Sequence, residues 1–379
     1  MTQTAAVRGL EGVIAASTAV SHVYGEEGRL VYRGYDIYEL AGKASFEEVA
    51  YLLWNGELPT SQQLRHLKER LSAHRGLGSE GLSVLQALSN DALPMDVLRT
   101  VVSTVGLEER VADRQKGEEA LESAIVLTAV IPTILAAFDR RRRGLEPVEP
   151  RTDLDHAQNY LYMLRGSEPS PADSRALDMY FVLLADHGMN ASTFTARVIA
   201  STEADMASAV VGAIGALKGP LHGGAPSLVL DMLDAIEKPE NAEPWMRGAL
   251  SRGDRLMGFG HRVYKAEDPR AEILRRLASE MDQTELFSLA SAAEKTGLRL
   301  LEEQKPGRRL YTNVEFYSSV VLNAVGLPRD LFTATFAASR TAGWSAHVLE
   351  QYGDNRLIRP QSQYTGPQGK RFEPLERRG

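Results

Sequence analysis

Three short segments carry side chains suited to proton transfer and hydrogen-bond donation. His222 lies within Gly-Pro-Leu-His-Gly-Gly-Ala, and His261 lies within Gly-Phe-Gly-His-Arg-Val-Tyr-Lys. Glu315 follows Asn313, a residue type that caps helix starts. Glycines beside a histidine let backbone approach a ligand and free N–H groups as donors. Each residue alone also has a structural explanation, because loop histidines are often structural and an acid in a first helical turn suits the helix dipole.

A metal site is a weak alternative explanation of the scattered histidines. The chain has eight histidines, but no two show the His-x-x-x-His spacing that places two ligands on one helix face. The absence of cysteine removes thiolate ligands, disulfides and a thiol nucleophile. We therefore predict no metal, whereas the alternative of a metal-dependent hydrolase predicts sensitivity to chelators.

The composition is that of an ordinary globular protein. The 379 residues are 43% hydrophobic and 25% charged, with a net charge of −7. This length predicts one large domain or two medium domains, and the composition excludes collagen-like and disordered classes. An acidic chain is a poor candidate for nucleic-acid binding, which needs a basic surface.

Helical patterns dominate the chain, and strand patterns are few. Ser45 and Glu48 form a capping-box pattern before an apolar face, and residues 172–201 predict one long, mostly buried helix. Residues 30–35, after a glycine-flanked turn at 25–28, predict a small hairpin. Regular alternation of strands and helices is missing, so we predict a mainly α-helical fold.

The sequence predicts a cytoplasmic protein without a membrane segment. Residues 1–10 lack the apolar stretch of a secretory signal. The longest apolar stretch, 124–138, is shorter than the ~20 residues of a membrane span, so it predicts a buried core helix. The basic run 140–143 before Gly144 predicts the end of that helix, where cations suit the dipole.

The motifs in combination resemble the citrate synthase family. The segments around His222, His261 and Glu315 occur in that order, about 40 and 54 residues apart. The resemblance covers nearly the whole chain. Further matching segments are Tyr-Arg-Gly-Tyr-Asp-Ile at 32–37, Met-Asp-Val-Leu-Arg-Thr at 95–100, Asp-His-Gly-Met-Asn-Ala-Ser at 186–192 and Ser-Arg-Thr-Ala-Gly-Trp at 339–344.

This resemblance implies an almost entirely α-helical homodimer with two domains in each subunit. The small domain would span 219–322 and close over the substrates, and the large domain would comprise 1–218 and 323–379. The Gly219-Pro220 loop would be one hinge. The implied reaction condenses acetyl-CoA with oxaloacetate and water to citrate and CoA, with no tightly bound cofactor.

The resemblance also implies three catalytic roles. His222 matches the histidine that stabilises the enol or enolate of acetyl-CoA, and His261 matches the one that polarises the oxaloacetate carbonyl. Glu315 matches the proton-abstracting carboxylate, which is usually Asp in the family. The extra methylene shifts the carboxylate by ~1 Å, a misplacement that can cost ~10²-fold in rate unless the backbone compensates. We expect compensation, because the flanking Asn-Val and Phe-Tyr are intact.

The two carboxylates of oxaloacetate call for arginine, which binds such groups bidentately. By the resemblance, Arg270, Arg340 and Arg359 bind oxaloacetate, with Arg359 reaching across from the other subunit of the dimer. His187 matches a further substrate-binding histidine.

Coenzyme A adds phosphates to the ligands that must be bound. The resemblance places Lys265, and Arg262 as a weaker candidate, where the family contacts CoA. The sequence lacks a Walker or dinucleotide-binding glycine pattern, so lysine and arginine are the expected phosphate ligands.

The sequence leaves two other functions open. A 2-methylcitrate synthase of the same family would use propionyl-CoA, which differs by a methylene that an apolar pocket discriminates by only ~1–3 kcal/mol. A non-catalytic helical homologue would keep the fold without activity, and only the glutamate at 315 favours it.

Overall fold

The protein is mainly α-helical, as the sequence predicts, with one small sheet near the N-terminus. The computed structural model describes residues 7–107, 117–223, 225–261, 263–281 and 285–378. Within these residues the helices are α1 (Ile37–Leu40), α2 (Phe46–Asn55), α3 (Ser61–Ala73), α4 (Ser79–Ala87), α5 (Pro94–Val105), α6 (Gly117–Arg142), α7 (His156–Arg165), α8 (Pro171–Leu184), α9 (Ala191–Ala200), α10 (Met206–Leu217), α11 (Ala225–Ile236), α12 (Ala242–Ser251), α13 (Pro269–Met281), α14 (Glu285–Gln304), α15 (Val314–Ala324) and α16 (Phe332–Gly353).

The sheet confirms the predicted hairpin and adds one strand to it. Strands β1 (Ser21–Tyr24) and β2 (Arg29–Tyr32) pair antiparallel, and β3 (Tyr35–Asp36) pairs with β2. A two-residue turn places Tyr32 opposite Tyr35. Because this turn has only two residues, β3 follows β2 directly within the segment 30–36. The predicted hairpin treats residues 30–35 as one strand and therefore misses the short third strand.

Helix α6 is the buried core helix that the apolar stretch predicts. By length and composition it could cross a membrane, but 89% of its most apolar window is buried inside the protein. It packs against α16, α7 and α5. The helix ends at Arg142, and Gly144 follows in a left-handed conformation, which confirms the predicted stop.

The prediction of one long helix over 172–201 is wrong. This segment forms α8 and α9, separated by a turn that carries His187. Gly188 in this turn has a φ of +60°, and the Asn190 side chain accepts hydrogen bonds from the backbone amides of Ser192 and Thr193 at 3.1 Å each. A new helix therefore begins at this cap, and apolar periodicity does not register the break.

Helix α16 lies at the centre of the core. It is buried along most of its length and packs against α6, α9, α8 and α2. Helices α11 to α15 pack largely among themselves, and α13 also contacts α8 and α1. The predicted domain boundaries at 218 and 322 stay predictions.

Candidate active site

The loop before His261 is hydrogen-bonded to the segment before Glu315. The backbone amide of Gly260 donates to the carbonyl of Tyr311 at 2.7 Å. Asn313 stands at the predicted N-cap of α15, but its side chain makes no cap bond and donates to the carbonyl of Gly260 at 3.1 Å. These bonds place His261 and Glu315 on adjoining segments that are far apart in sequence.

Glycine is required where this loop passes the start of α15. Gly258 has a φ of +83°, and a Cβ atom there would lie 2.6 Å from the ring of Phe316. Any larger residue would clash with that ring and adopt a strained backbone. The glycine-rich motif is thus explained by a close approach of backbone to side chain.

His261 is held as a neutral hydrogen-bond donor. Its Nδ1 accepts hydrogen bonds from the backbone amides of Val263 and Tyr264, both at 3.0 Å. An acceptor Nδ1 places the proton on Nε2. Burial, with a contribution from Arg270, lowers the pKa of His261 to about 4. Near neutral pH the ring therefore offers an Nε2–H group to a ligand.

His187 lies beside His261. The two rings are 5.5 Å apart and nearly perpendicular, and Nε2 of His187 lies 3.3 Å from the Tyr264 hydroxyl. Burial lowers the pKa of His187 well below its usual value, and the charge of Arg270 adds to this effect. His187 is therefore uncharged as well.

His222 is held by a serine at the start of α9. Its Nε2 lies 2.9 Å from Oγ of Ser192, which also accepts a hydrogen bond from the Trp344 indole at 3.0 Å. The same Oγ lies 2.8 Å from Oδ1 of Asn190. Burial, with a contribution from Arg340, lowers the pKa of His222 to about 4. This imidazole is also neutral at physiological pH.

Arg270 is locked against an adjacent carboxylate. Its Nε and Nη2 donate to the two oxygens of Asp268 at 3.0 and 2.8 Å, and both side chains are buried. Burial by itself would lower the pKa of Arg270, but the Asp268 charge and hydrogen bonds raise it overall. The guanidinium is thus a permanent and oriented cation.

Arg340 has no such acidic partner among the residues that the structure describes. It projects from α16, donates from Nε to the carbonyl of Leu184 at 2.6 Å and stacks over Phe336 at 4.6 Å. Its Nη2 is buried without a hydrogen-bond partner among the described residues. Burial lowers the pKa of Arg340 to about 10, so it stays charged at neutral pH. A buried cation with an unused donor fits an anionic ligand.

Glu315 is the carboxylate of the site. It lies in the first turn of α15, and its Oε2 is buried without a hydrogen-bond partner in the described part of the chain. Burial raises the pKa of Glu315, and the charge of Arg270 opposes that rise. A desolvated carboxylate with an unused oxygen is well suited to accept a proton.

The structure brings six of the predicted residues into one electrostatic neighbourhood. The charge of Arg270 acts on the pKa of His187, His261 and Glu315, and the charge of Arg340 acts on the pKa of His222 and Glu315. The six residues are His187, His222, His261, Arg270, Glu315 and Arg340.

Two predicted residues stand apart, and a third is not described. Arg359 is exposed, and the neighbouring Ile358 bonds to the far end of α9, about nine residues and therefore ~14 Å from Ser192. The Lys265 side chain is exposed. Arg262 lies outside the described residues.

Sequence reasoning missed the residues that anchor the turn carrying His187. Asp186 is fully buried and accepts a hydrogen bond from the amide of Gly188 at 3.1 Å. Nε2 of His347 lies 3.2 Å from this carboxylate, and the Ser21 hydroxyl also donates to it. Asp186 lies within the 186–192 motif, which is a signal for its importance, whereas nothing in the sequence links it to His347.

Comparison with known proteins gives one consistent result. The family model described as citrate synthase, C-terminal domain, matches residues 9–361. Citrate synthase 2 of Bacillus subtilis is 46% identical over 98% of this chain and 99% of its own length. The 2-methylcitrate synthase 2 of Corynebacterium glutamicum is 42% identical over 100% of this chain and 99% of its own length.

Solved structures agree with these relatives. Citrate synthase from Thermotoga maritima is 42% identical, with a TM-score of 0.87 over 98% of this chain and 99% of that one. The citrate synthase of Thermoplasma acidophilum, in a ternary complex with carboxymethyl coenzyme A and oxaloacetate, is 30% identical. Its TM-score is 0.91 over 98% of both chains.

Proposed function

The chain belongs to the citrate synthase family, whose reaction joins acetyl-CoA to oxaloacetate to give citrate and CoA, and we propose that six gathered side chains carry out this reaction here. The observation that carries the assignment is the unpartnered Oε2 of Glu315, which is buried near Arg270 and Arg340. The charges of these two arginines also act on the neutral His261 and His222. The six side chains are those of His187, His222, His261, Arg270, Glu315 and Arg340.

Glu315 is the base that removes a proton from the methyl group of acetyl-CoA. This proton is weakly acidic, and a carboxylate with a raised pKa accepts it more readily than an ordinary one. The electron pair of the broken C–H bond then forms the enol or enolate of the thioester. The unused Oε2 supplies the acceptor without first breaking an internal hydrogen bond.

His222 stabilises the enol oxygen by donating a hydrogen bond. A neutral ring donates from only one nitrogen, so donation from Nδ1 requires Nε2 to accept the Ser192 hydroxyl proton. The 2.9 Å separation of Nε2 and Oγ allows this bond. The hydroxyl then gives up its alternative acceptor, Oδ1 of Asn190.

His261 polarises the ketone of oxaloacetate through Nε2–H. Its fixed Nδ1 orients the ring before substrate arrives. As the enol carbon attacks, the ketone oxygen takes up a proton and becomes a hydroxyl, giving citryl-CoA. The proton that Glu315 removed from the methyl group balances this uptake, so the condensation consumes no net proton. Water then hydrolyses this thioester and releases CoA.

Arg270, Arg340 and His187 bind the oxaloacetate carboxylates. The unused Nη2 of Arg340 and the fixed geometry of Arg270 support this assignment. Arg359 completes the site from the partner subunit of a homodimer.

The C-terminal tail supports such a dimer. Leu357, Tyr364, Phe372 and Leu375 are between 55% and 84% exposed in the single chain, a cost that a partner subunit would remove. Arg359 lies in this tail, so the same contact would carry it to the partner's site. A monomeric variant that stays folded and fully active would contradict the proposal.

The region 219–322 closes over the substrates, and Lys265 and Arg262 bind the phosphates of CoA. The exposed Lys265 side chain is available for this contact. Acetyl-CoA is thus a substrate, and the proposal involves no tightly bound cofactor. A cytoplasmic location stays a prediction of the sequence.

A second candidate substrate is propionyl-CoA. The 42% identity to a 2-methylcitrate synthase supports propionyl-CoA as this second candidate. The ratio of kcat/KM for acetyl-CoA and propionyl-CoA distinguishes the two, and a larger value for propionyl-CoA would replace the first assignment.

The deciding experiment is thiol release from acetyl-CoA with and without oxaloacetate. We expect release that depends on oxaloacetate in the wild type and falls by ~10²–10⁴-fold in Glu315→Gln. Glu122→Gln, which changes a carboxylate paired with Arg70 and His74, is the control and should keep its activity. Release that ignores oxaloacetate would indicate a thioesterase.

A further inference from the structure

We propose that Glu294, a carboxylate outside the site, is the positioning residue that fixes the position of the Glu315 carboxylate. The inference rests on the proposed role of Glu315 as the base. Glu294 projects from α14, and its side chain is only 8% exposed. Its two oxygens bind side chains on both sides of Glu315, so it holds the segment that carries the base.

The first contacts are two short hydrogen bonds. Oε1 of Glu294 accepts from the Thr312 hydroxyl at 2.7 Å, and Oε2 accepts from the Tyr317 hydroxyl at 2.6 Å. Thr312 stands three residues before Glu315, and Tyr317 stands two residues after it. One carboxylate thus clamps both ends of the six-residue segment from Thr312 to Tyr317.

A third contact neutralises the carboxylate. Nη1 of Arg275 donates to Oε1 of Glu294 at 3.2 Å, and Nη2 of Arg275 donates to Glu267 at 2.9 Å. With one cation and two hydroxyl donors, both oxygens of this buried carboxylate are hydrogen-bonded and its charge is compensated. Since Glu267 precedes Asp268, the contacts connect the loop that orients Arg270 with the segment that carries Glu315.

The start of α15 needs such an external support. Asn313 occupies the N-cap position, but its side chain bonds to Gly260 and leaves the helix start without a side-chain cap. A first turn without a cap is held less firmly by its own sequence. The Glu294 clamp holds this first turn through the side chains of Thr312 and Tyr317, and the base lies inside the clamped segment.

A glutamate base makes this support more important. Its side chain has one more rotatable bond than an aspartate, so the backbone must be fixed if the carboxylate is to meet the methyl proton. A shift of ~1 Å at such a group can cost ~10²-fold in rate. Loss of the clamp should therefore slow proton abstraction while leaving the oxaloacetate contacts in place.

The test compares three variants that each remove part of the clamp. Glu294→Gln removes the charge, Tyr317→Phe removes one donor and Thr312→Val removes the other. We expect kcat to fall ~10–100-fold in Glu294→Gln and less in the other two, with KM for oxaloacetate unchanged. If Glu294→Gln does not fold, Tyr317→Phe and Thr312→Val provide the test.

Two readouts distinguish positioning from general support of the fold. The isotope effect on kcat with deuterated acetyl-CoA should rise in all three variants, because proton abstraction becomes slower. The midpoint of the acid limb of the pH profile should stay in place. An unchanged isotope effect would show a purely structural role, and a shifted midpoint would show that Glu294 acts through its charge. Either result overturns the inference.

Matched controls and a double variant complete the design. Tyr160→Phe removes a buried hydroxyl bonded to Thr335 at 3.0 Å, and Glu122→Gln removes a paired carboxylate; both should keep the wild-type isotope effect. Glu294→Gln with Tyr317→Phe should lose little more than Glu294→Gln alone, since both act through one contact.

Glu315→Gln, measured in parallel, separates the two hypotheses. If it keeps full activity, the base assignment fails and the inference fails with it. If it is inactive while the clamp variants match their controls, the inference alone fails.

Discussion

Two clusters of buried ionisable groups differ in ways that identify which one performs chemistry. One is the site just described. The other, the helix-start cluster, comprises Glu47, Arg75, His156 and Asp178. Burial lowers the pKa of His156 to about 3, and burial together with the charge of Glu47 raises the pKa of Asp178 to about 8. Both clusters therefore contain a neutral histidine, an arginine and a carboxyl group of raised pKa.

Unpartnered polar atoms do not separate the clusters either. In the described part of the chain, the helix-start cluster has three of them: Oε2 of Glu47, Nε of Arg75 and Nε2 of His156. Several of its other polar atoms bind the chain's own backbone. Asp178 accepts from the Phe46 amide at 3.0 Å, and Glu47 accepts from the His156 amide at 2.9 Å. These bonds cap the starts of α2 and α7.

Access to the histidines is what separates them, since Arg340 at 1% exposure is as buried as Arg75 at 3%. Glu47 is 1% exposed and His156 is 2% exposed, and the His156 ring packs against Phe46 and Phe181 at 5.0 and 5.8 Å. His222 and His261 are half-buried and lie on glycine-rich loops. A shifted pKa and an unused polar atom thus indicate chemistry only where a ligand can reach them.

The largest expected effect is a difference between Glu315 in the candidate site and Glu47 in the helix-start cluster. Glu315→Gln should lower kcat by ~10²–10⁴-fold with little loss of stability, since it removes a desolvated charge. Glu47→Ala should lower the free energy of unfolding by ~1–3 kcal/mol through the lost backbone bond, with kcat intact. Urea unfolding and steady-state kinetics on both variants measure this. Loss of kcat in Glu47→Ala at full folding would break the contrast.

The two arginines give the next contrast. Arg340→Met removes the cation whose unused donor lies in the candidate site, so kcat/KM for oxaloacetate should fall ~10²-fold. Arg75→Met removes a guanidinium that donates to the backbone carbonyls of Arg151 and Leu154. It should lower the midpoint of thermal unfolding and spare kcat/KM. Equal kinetic losses in the two variants would refute the distinction.

A smaller effect is expected where one hydroxyl supports a site histidine. Ser192→Ala removes the bond to Nε2 of His222 and should lower kcat about fivefold, because one such bond contributes ~1 kcal/mol. Thr335→Val removes the partner of the Tyr160 hydroxyl and is the matched control. Wild-type kcat in Ser192→Ala would show that His222 needs no orientation by Ser192.

The smallest effect concerns the pH dependence of stability. A folded histidine pKa below the unfolded value near 6.5 means that the unfolded chain binds more protons. His156 and His222 should therefore make stability fall as pH decreases from about 6.5 toward their folded pKa values of about 3 and 4. Asp178 acts in the opposite sense, since its raised pKa of about 8 stabilises the fold at low pH and this contribution is lost as pH rises through about 8.

Thermal unfolding between pH 4 and 7 tests the histidine part of this prediction. His156→Phe should flatten the slope, because Phe does not titrate. An unchanged slope in that variant would exclude His156 as a source of the pH dependence.

Local patterns predicted most of the fold. The capping box of Ser45 and Glu48, the apolar helix α6 and the N-terminal hairpin follow from short-range spacing and are present. Sequence spacing misses the break between α8 and α9 because the Asn190 cap starts a new helix within a helix-compatible stretch. Short-range spacing is therefore reliable until a capping residue interrupts it.

The candidate site was predicted from motif spacing, but the residues that hold it were not. Tyr264 and Ser192 lie inside recognised motifs, and this position makes them candidates for residues that support the site. Glu294 lies in no motif, and its partners Thr312 and Tyr317 follow it by 18 and 23 residues. Contacts between separate elements depend on packing, which single-sequence periodicity does not encode.

One backbone contact offers a way to time the opening of the molecule. The amide of Lys265 donates to the carbonyl of Gly25 at 2.8 Å, so the first turn of the sheet touches the loop that carries His261. If region 219–322 swings away from the remainder, this bond must break and expose a single amide to solvent. The hydrogen–deuterium exchange rate of that amide then reports how often region 219–322 opens, and bound oxaloacetate should slow this exchange.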